Sequence, residues 1–283
     1  MGPLDLSSLR LVSQSGEEVD IVQGLRRIAR RRTAQLWQRA ARFSLCAAML
    51  IAWALASRFW PGLSTLLPGP GTVAETAWAL IVNGSLPQDL LSSLTRVLVA
   101  LAWASLVGFP LGFALGAVPC FAKVVGPVVN FLRPIPPIAW IPLSILWLGI
   151  GNGQKEFIIF LGAIFPIVLN TCQGVLSVDK TVLEAASVDG ATDWHRAVHM
   201  QLPLAMPEML VGLRIGTGIA WMALVAGEMV AASSGLGFLI MQGRMLFRPD
   251  IIVVGMVVIG AVGVMLDAVI RICSRRIDRH FGR

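Results

Sequence analysis

The groups in this 283-residue chain that could do chemistry are charges set inside apolar runs. The sharpest case is "RPIPPIAWIPLSILWLGIG", from Arg133 to Gly151, which opens on an arginine and holds four prolines. Each proline removes a backbone donor and obstructs the turn before it. Irregular backbone at membrane depth is tolerated where it is buried in protein or lines a watery cavity. An arginine at the bilayer centre costs roughly 2.5–3.5 kcal/mol on insertion scales. Arg133, Pro134, Pro136 and Pro137 are therefore expected to form the wall or gate of a polar route, with Trp140 as a bulky plug. The plainer alternative is a kinked structural span with Arg133 at the membrane surface. Glu228 is the second such group, near the end of "GLRIGTGIAWMALVAGEM". A carboxylate inside a span is a functional candidate by default.

Catalytic and metal chemistry find little support. No cluster of Ser, His or paired carboxylates falls within the apolar runs, so no catalytic residue is expected. His195 and His199 are four apart and could meet one metal from a single helix face, yet no third ligand stands near them in sequence. A solvated or docking face is the favoured reading, and no metal site is expected. Cys46, Cys120, Cys172 and Cys273 are far apart, which indicates neither a disulfide framework nor a thiolate site. A Gly-rich Lys-Ser/Thr phosphate loop is missing, so the chain is expected to hydrolyse no ATP alone and to carry no cofactor.

These groups must be held by helices in lipid. Hydrophobic residues make up 56% of the chain and charged ones 14%, against roughly 25% charged in a soluble domain. Several apolar runs reach the ~18–20 residues that a spanning helix needs. The pattern predicts an all-α membrane protein with six transmembrane helices, over 43–60, 94–118, 126–148, 157–175, 209–232 and 251–272. Gly108, Gly112 and Gly116 form a small-residue stripe on the second, suited to close helix approach within the bundle or against a partner.

The net charge of +7 is concentrated in arginines beside the terminal spans. Eight lie in residues 1–42 and five more from Arg271 onward. That distribution marks membrane topology rather than nucleic-acid binding, and it puts both termini in the cytoplasm. The organisation expected is a basic cytoplasmic segment over 1–42, a transmembrane domain over 43–272 with a cytoplasmic loop at 176–208, and a basic cytoplasmic tail over 273–283. Within the first segment, Ile21, Leu25, Ile28, Leu36 and Trp37 suggest a helix lying on the membrane surface.

The 176–208 loop is the longest internal connection, and long ordered loops usually have a job. Lys180–Val188 has mostly helix-compatible residues, Gly190 interrupts, and Thr192–Gln201 can form a second short helix with Thr192 or Asp193 as its N-cap. Pro203 and Pro207 are expected to stop it. At these residues, "EAASVDGATDWHRAVHMQLPLAMP" resembles the Glu-Ala-Ala loop of ABC-importer permeases. Glu184, Ala185 and Ala186 match its head, Gly190 follows six after Glu184, and Leu202 and Pro203 follow at eighteen and nineteen. Met200 stands where an isoleucine is usual. The resemblance implies the type I importer fold and a coupling helix that inserts into an ATPase subunit, with Glu184, Ala185, Ala186, Asp189, Gly190, Leu202 and Pro203 as coupling residues.

"RPIPPIAW", "LPGPGTV", "GLRIGTGIAWMALVAGEM" and "ASSGLGFLI" resemble the taurine, sulfonate, nitrate and bicarbonate branch of these permeases, with the taurine and sulfonate members nearer. The resemblance implies an inner-membrane, multi-pass subunit of an ATP-driven importer of a small anion. It also implies two ATPase subunits that bind ATP and Mg, a second permease copy, and a periplasmic or lipid-anchored binding protein. Beside an anion, Glu228 is better suited to a gate hydrogen bond or an ion pair, with Arg133 or Arg244, than to substrate contact. Nitrate or bicarbonate import is the alternative within the branch. An ion-coupled secondary transporter using Asp267, Glu228 and Arg133 is the alternative outside it, and an intramembrane enzyme a more distant one.

Overall fold

The computed structural model describes residues 67–280, 48–59 and 44, with two short strands near the N-terminus. The strands, β1 (Leu11–Val12) and β2 (Glu18–Val19), pair antiparallel with Leu11 opposite Val19. They are the one exception to an all-helical chain among the described residues. The surface helix expected from Ile21 to Trp37 lies outside the described residues, as do both ends of the first expected span. The chain forms two compact units, Met1–Pro70 and Gly71–Arg283. In the first, helix α1 (Ala48–Phe59) is apolar, and the Trp53 indole donates to the Pro68 carbonyl at 3.1 Å.

The second unit holds the remaining helices. α2 (Pro70–Val82) leads through Gly84 into α3 (Ser85–Ala117). α4 (Pro119–Leu132) and α5 (Ile141–Leu148) are bent from each other by 87° around the proline stretch. Pro136 is extended there, at φ −63° and ψ 139°, as a residue preceding proline prefers. A single 3₁₀ turn, Pro137–Trp140, then restarts the helix. α6 (Asn152–Leu176), α7 (Lys180–Val188), α8 (Asp193–Arg196), α9 (Leu202–Ala231), α10 (Leu236–Met245) and α11 (Pro249–His280) follow. Four described helices are long and apolar enough to cross a membrane, five if α4 and α5 make one broken span. The residues expected to form a basic tail continue α11 as helix through His280.

One expectation fails outright. Pro203 and Pro207 do not stop the second loop helix, because Trp194–Val230 runs on as one long helix. A wide turn at Ala197–Gln201 explains the tolerance: the Leu202 amide reaches back to the Ala197 carbonyl, five residues away. That extra residue per turn opens the spot where the Pro203 ring would otherwise meet the preceding turn.

α6 is the centre of the unit, flanked by α3 and α9. The α3 glycine stripe faces α6, not a distant partner. A Cβ at Gly112 would lie 2.7 Å from the Thr171 Cβ and closer still to the Val168 carbonyl oxygen. On the other flank, a Cβ at Gly216 of α9 would come within 2.9 Å of the Ala163 carbonyl oxygen. Small residues thus let three backbones approach closely, the usual means of packing helices where lipid removes the hydrophobic drive. α11 closes on α9 through the Trp221 indole, which donates to the Ile259 carbonyl at 3.1 Å. Large apolar side chains such as Leu106 on α3 and Val264 on α11 remain exposed, as a lipid-facing surface requires.

Candidate functional site

The loop at one end of the bundle is an ordered device. Asp179 caps α7: its carboxylate accepts the Thr181 amide at 2.9 Å and the Thr181 hydroxyl at 2.7 Å. The hydroxyl bond, with the amide bond behind it, holds the Asp179 carboxyl below the usual carboxylate range. At the other end of α7, Gly190 is left-handed at φ +83°. The Ala191 amide bonds the Ala186 carbonyl at 3.0 Å and the Gly190 amide bonds the Ser187 carbonyl at 3.1 Å. This paired closure is a Schellman cap, which needs a residue free of the Cβ penalty at that site. The Thr192 hydroxyl then accepts the His195 amide at 3.3 Å, so Thr192 starts α8. Arg196 donates to the Ser187 hydroxyl and ties α8 back to α7.

Ala186, Asp189 and Gly190 line a groove of about 500 Å³, together with Thr192, His195 and Met200. Glu184 is exposed on α7 outside that lining, and Ala185 follows it in the helix. Leu202 and Pro203 are half-buried at the start of α9. The His195 and His199 rings stack with centroids 4.2 Å apart. Among the described residues no group of three His, Cys, Asp or Glu could hold a metal.

The pathway candidates separate into three places. Arg133 and Pro137 line a cleft of about 560 Å³ with Ile135, residues of α6 from Leu161 to Gln173, and Ile215 and Ile219 of α9. Pro134 and Pro136 are exposed. Trp140 does not stand in the cleft: it packs against Ile141, Ile158 and Ala223. Glu228 is buried elsewhere, and its partner is neither Arg133 nor Arg244 but Arg96 of α3, at 2.6 Å. Asp267 belongs to a separate pairing, with Arg214 at 2.5 Å and with Arg271. The three charges of a relay through Asp267, Glu228 and Arg133 therefore share no partner among the described residues.

Around Glu228 lies a network that the charge pattern did not announce. Ser93 donates to the carboxylate at 2.8 Å, and the Gly237 amide donates to it at 2.9 Å. The Arg96 guanidinium also holds the Ser234 carbonyl and hydroxyl, both at 2.8 Å, and the Asn152 side-chain oxygen at 3.1 Å. Asp89 accepts the Gly235 amide at 2.7 Å, and the Ser93 hydroxyl accepts the Leu236 amide at 2.9 Å. Lys155 is buried within reach of the Arg96 and Glu228 charges. Gly235, at φ +117°, has no space for a Cβ because the Glu228 carboxylate occupies it. The network thus pins the turn between α9 and α10 onto α3. Asp89, Ser93 and Arg96 fall at i, i+4 and i+7, one face of a helix, and that spacing was the available signal.

Comparison with known proteins places this geometry. The family described as "Binding-protein-dependent transport system inner membrane component" matches residues 104–282. The Escherichia coli taurine transport system permease protein TauC is 35% identical, over 76% of this chain and 80% of its own. The nitrate import permease protein NrtB of Synechocystis is 32% identical, over 78% of this chain and 82% of its own. Among solved structures, inward facing conformations of the MetNI methionine ABC transporter include a chain that aligns at a TM-score of 0.59 and 23% identity, covering 68% of this chain and 94% of that one. That likeness speaks for the fold. With an all-helical bundle, a capped two-helix loop and this depth of relatedness, the chain belongs to the inner-membrane components of binding-protein-dependent transport systems, as a multi-pass ABC-importer permease of the taurine, sulfonate and nitrate branch.

Proposed function

We propose that this permease forms the translocation pathway of an ATP-driven importer for a small anion, taurine or another sulfonate, and that α7, Gly190 and α8 are its coupling element. The observation that carries the reading is mechanical. α8 continues without a break into a membrane-spanning helix, from Trp194 to Val230. A partner that closes on the groove around Ala186, Asp189 and Gly190 therefore moves a whole span, and α6 packs along that span. Arg133 in the cleft gives the route a cation for the sulfonate head of its cargo.

In this reading the loop is cytoplasmic, both termini lie on the same side, and two copies of the chain assemble with two ATPase subunits and an extracytoplasmic binding protein. ATP binding draws the ATPase subunits together, and the coupling helices rock the bundle between inward-open and outward-open forms. Nitrate import is the second reading, supported by the relationship to NrtB. Reconstitution of the permease with its ATPase and binding protein in liposomes tests both. ATP-dependent uptake of radiolabelled taurine or an alkanesulfonate, unaffected by excess nitrate, is the expected result. Uptake of nitrate alone moves the chain to the second reading, and uptake without ATP rejects both.

A further inference from the structure

The cleft beside the proline stretch has an unusual lining for a membrane bundle. Arg96, Arg214, Arg248 and Arg271 each face a carboxylate. Arg133 faces none among the described residues, and its neighbours across the cleft are mainly apolar: Leu161, Phe165, Leu169, Ile215 and Ile219. The remaining polar groups are two amides, Asn170 and Gln173. The Asn170 amide nitrogen is already committed to the Pro166 carbonyl, at 2.8 Å. Arg133 is itself exposed, so water meets its charge until an anion displaces it. The volume, about 560 Å³, lies within the range of small-molecule sites.

The lining also discriminates. It contains one cation and no Asp or Glu, so a ligand's sulfonate or carboxylate head is matched while an ammonium group is not.

We propose that the permease itself carries a weak organic-anion subsite in this cleft, with Arg133 holding the anionic head and the apolar wall of α6 and α9 taking a short alkyl tail. The subsite prefers a simple alkyl anion to a zwitterion of the same length, and it rests on the reading of the cleft as part of the transport route. Specificity would then be set twice, once by the binding protein and once here.

The test uses the assembled permease–ATPase complex in nanodiscs, without the binding protein, and equilibrium binding of radiolabelled propane-1-sulfonate at fixed ionic strength. Taurine, its isosteric zwitterion, and nitrate serve as competitors. Saturable binding is expected, with taurine and nitrate each several-fold weaker. Arg133→Ala should weaken binding about tenfold or more, the usual scale for losing a charged hydrogen bond, and Arg133→Lys should restore part of it. Gln173→Glu, at an exposed position, should lower affinity for propane-1-sulfonate and raise it for taurine. This gain for the zwitterion cannot come from misfolding. Absence of saturable binding up to about 10 mM overturns the subsite, as do equal affinities for the two sulfonates or an Arg133→Ala complex that binds normally. A complex that transports anions with ATP yet fails here loses the subsite and keeps the importer function.

Discussion

Arg96 of α3 and Glu228 of α9, 132 residues apart in sequence, meet at 2.6 Å with side chains 7% and 0% exposed. Each also holds backbone of the Ser234–Gly237 turn. A buried pair of this kind adds modest net stability, but removing one partner leaves the other uncompensated, at about 3–5 kcal/mol. Arg96→Gln and Glu228→Gln should each sharply lower the thermal midpoint in detergent. The double variant should lose clearly less than the two single losses added. Additive losses in the double-mutant cycle would show that the two side chains act independently.

The network shows where sequence reading stops. The hydropathy pattern starts the second span at Leu94, whereas α3 begins at Ser85 and its first turns carry Asp89 and Ser93. A window tuned to apolar runs discards polar ends, and those ends are what grip the Ser234–Gly237 turn. Glu228 was legible as a residue needing a partner, but its partner depends on which helices are neighbours, and that is tertiary information. The glycine stripe announced close approach in the same way without naming α6. Pro203 and Pro207 misled because a wide turn upstream absorbs the proline geometry, and nothing in local composition specifies such a turn. Gly190 was legible because a left-handed cap is a local requirement with few solutions.

Gly112 should be the least replaceable glycine of the stripe. Its Cβ position is already filled by the Val168 carbonyl and Thr171, so a side chain there must push α3 from α6. Gly112→Val is expected to destabilise by about 1–3 kcal/mol or more, as overpacking does, and to reduce the monodisperse yield in detergent. Gly126→Val is the control, since a Cβ there meets nothing within 4 Å. Equal behaviour of the two variants would contradict the close α3–α6 packing.

The coupling element should respond to substitutions that leave the bundle intact. Gly190→Pro removes one of the two amides that close the α7 cap, and Glu184→Lys reverses an exposed charge on that helix. Both are expected to release the ATPase or to separate ATP hydrolysis from uptake, with thermal stability of the bundle close to wild type. Normal assembly and coupled uptake in both variants would remove the assignment of this loop.

Asp179 makes the cap of α7 sensitive to acid. Its carboxyl is held below the ordinary value in the folded state, so folding favours the ionised form. The contribution is therefore fully present above the unfolded value of about 3.9 and is lost as pH falls through the lower folded value. At neutral pH, Asp179→Ala should speed hydrogen exchange at the Thr181 and Val182 amides. Asp179→Asn should retain part of the protection, because its side-chain oxygen still accepts. Identical exchange in all three proteins would show that the cap does not hold the helix start.

The cleft predicts a pattern along a single helix. On α6, Leu161, Phe165, Leu169 and Gln173 line the cleft, whereas Ile159, Ala163, Ile167 and Thr171 have no exposed surface. The two sets interleave in sequence and separate only because successive residues of a helix turn by about 100°. In a background where Cys46, Cys120, Cys172 and Cys273 are replaced, single cysteines at the first set should react with a membrane-impermeant thiol reagent in the assembled complex. Those at the second set should stay protected. If the cleft is part of the route, the reactive set should also change its rate when ATP is added, since alternating access opens it to one side at a time. Ile135, across the cleft at the proline bend, should follow the same nucleotide dependence. Uniform protection of the cleft face in both nucleotide states would make the proline break a purely structural kink. The route would then run along α9 and α11, where Arg214, Thr217, Trp221, Leu266 and Asp267 line a smaller, mainly apolar cavity of about 70 Å³.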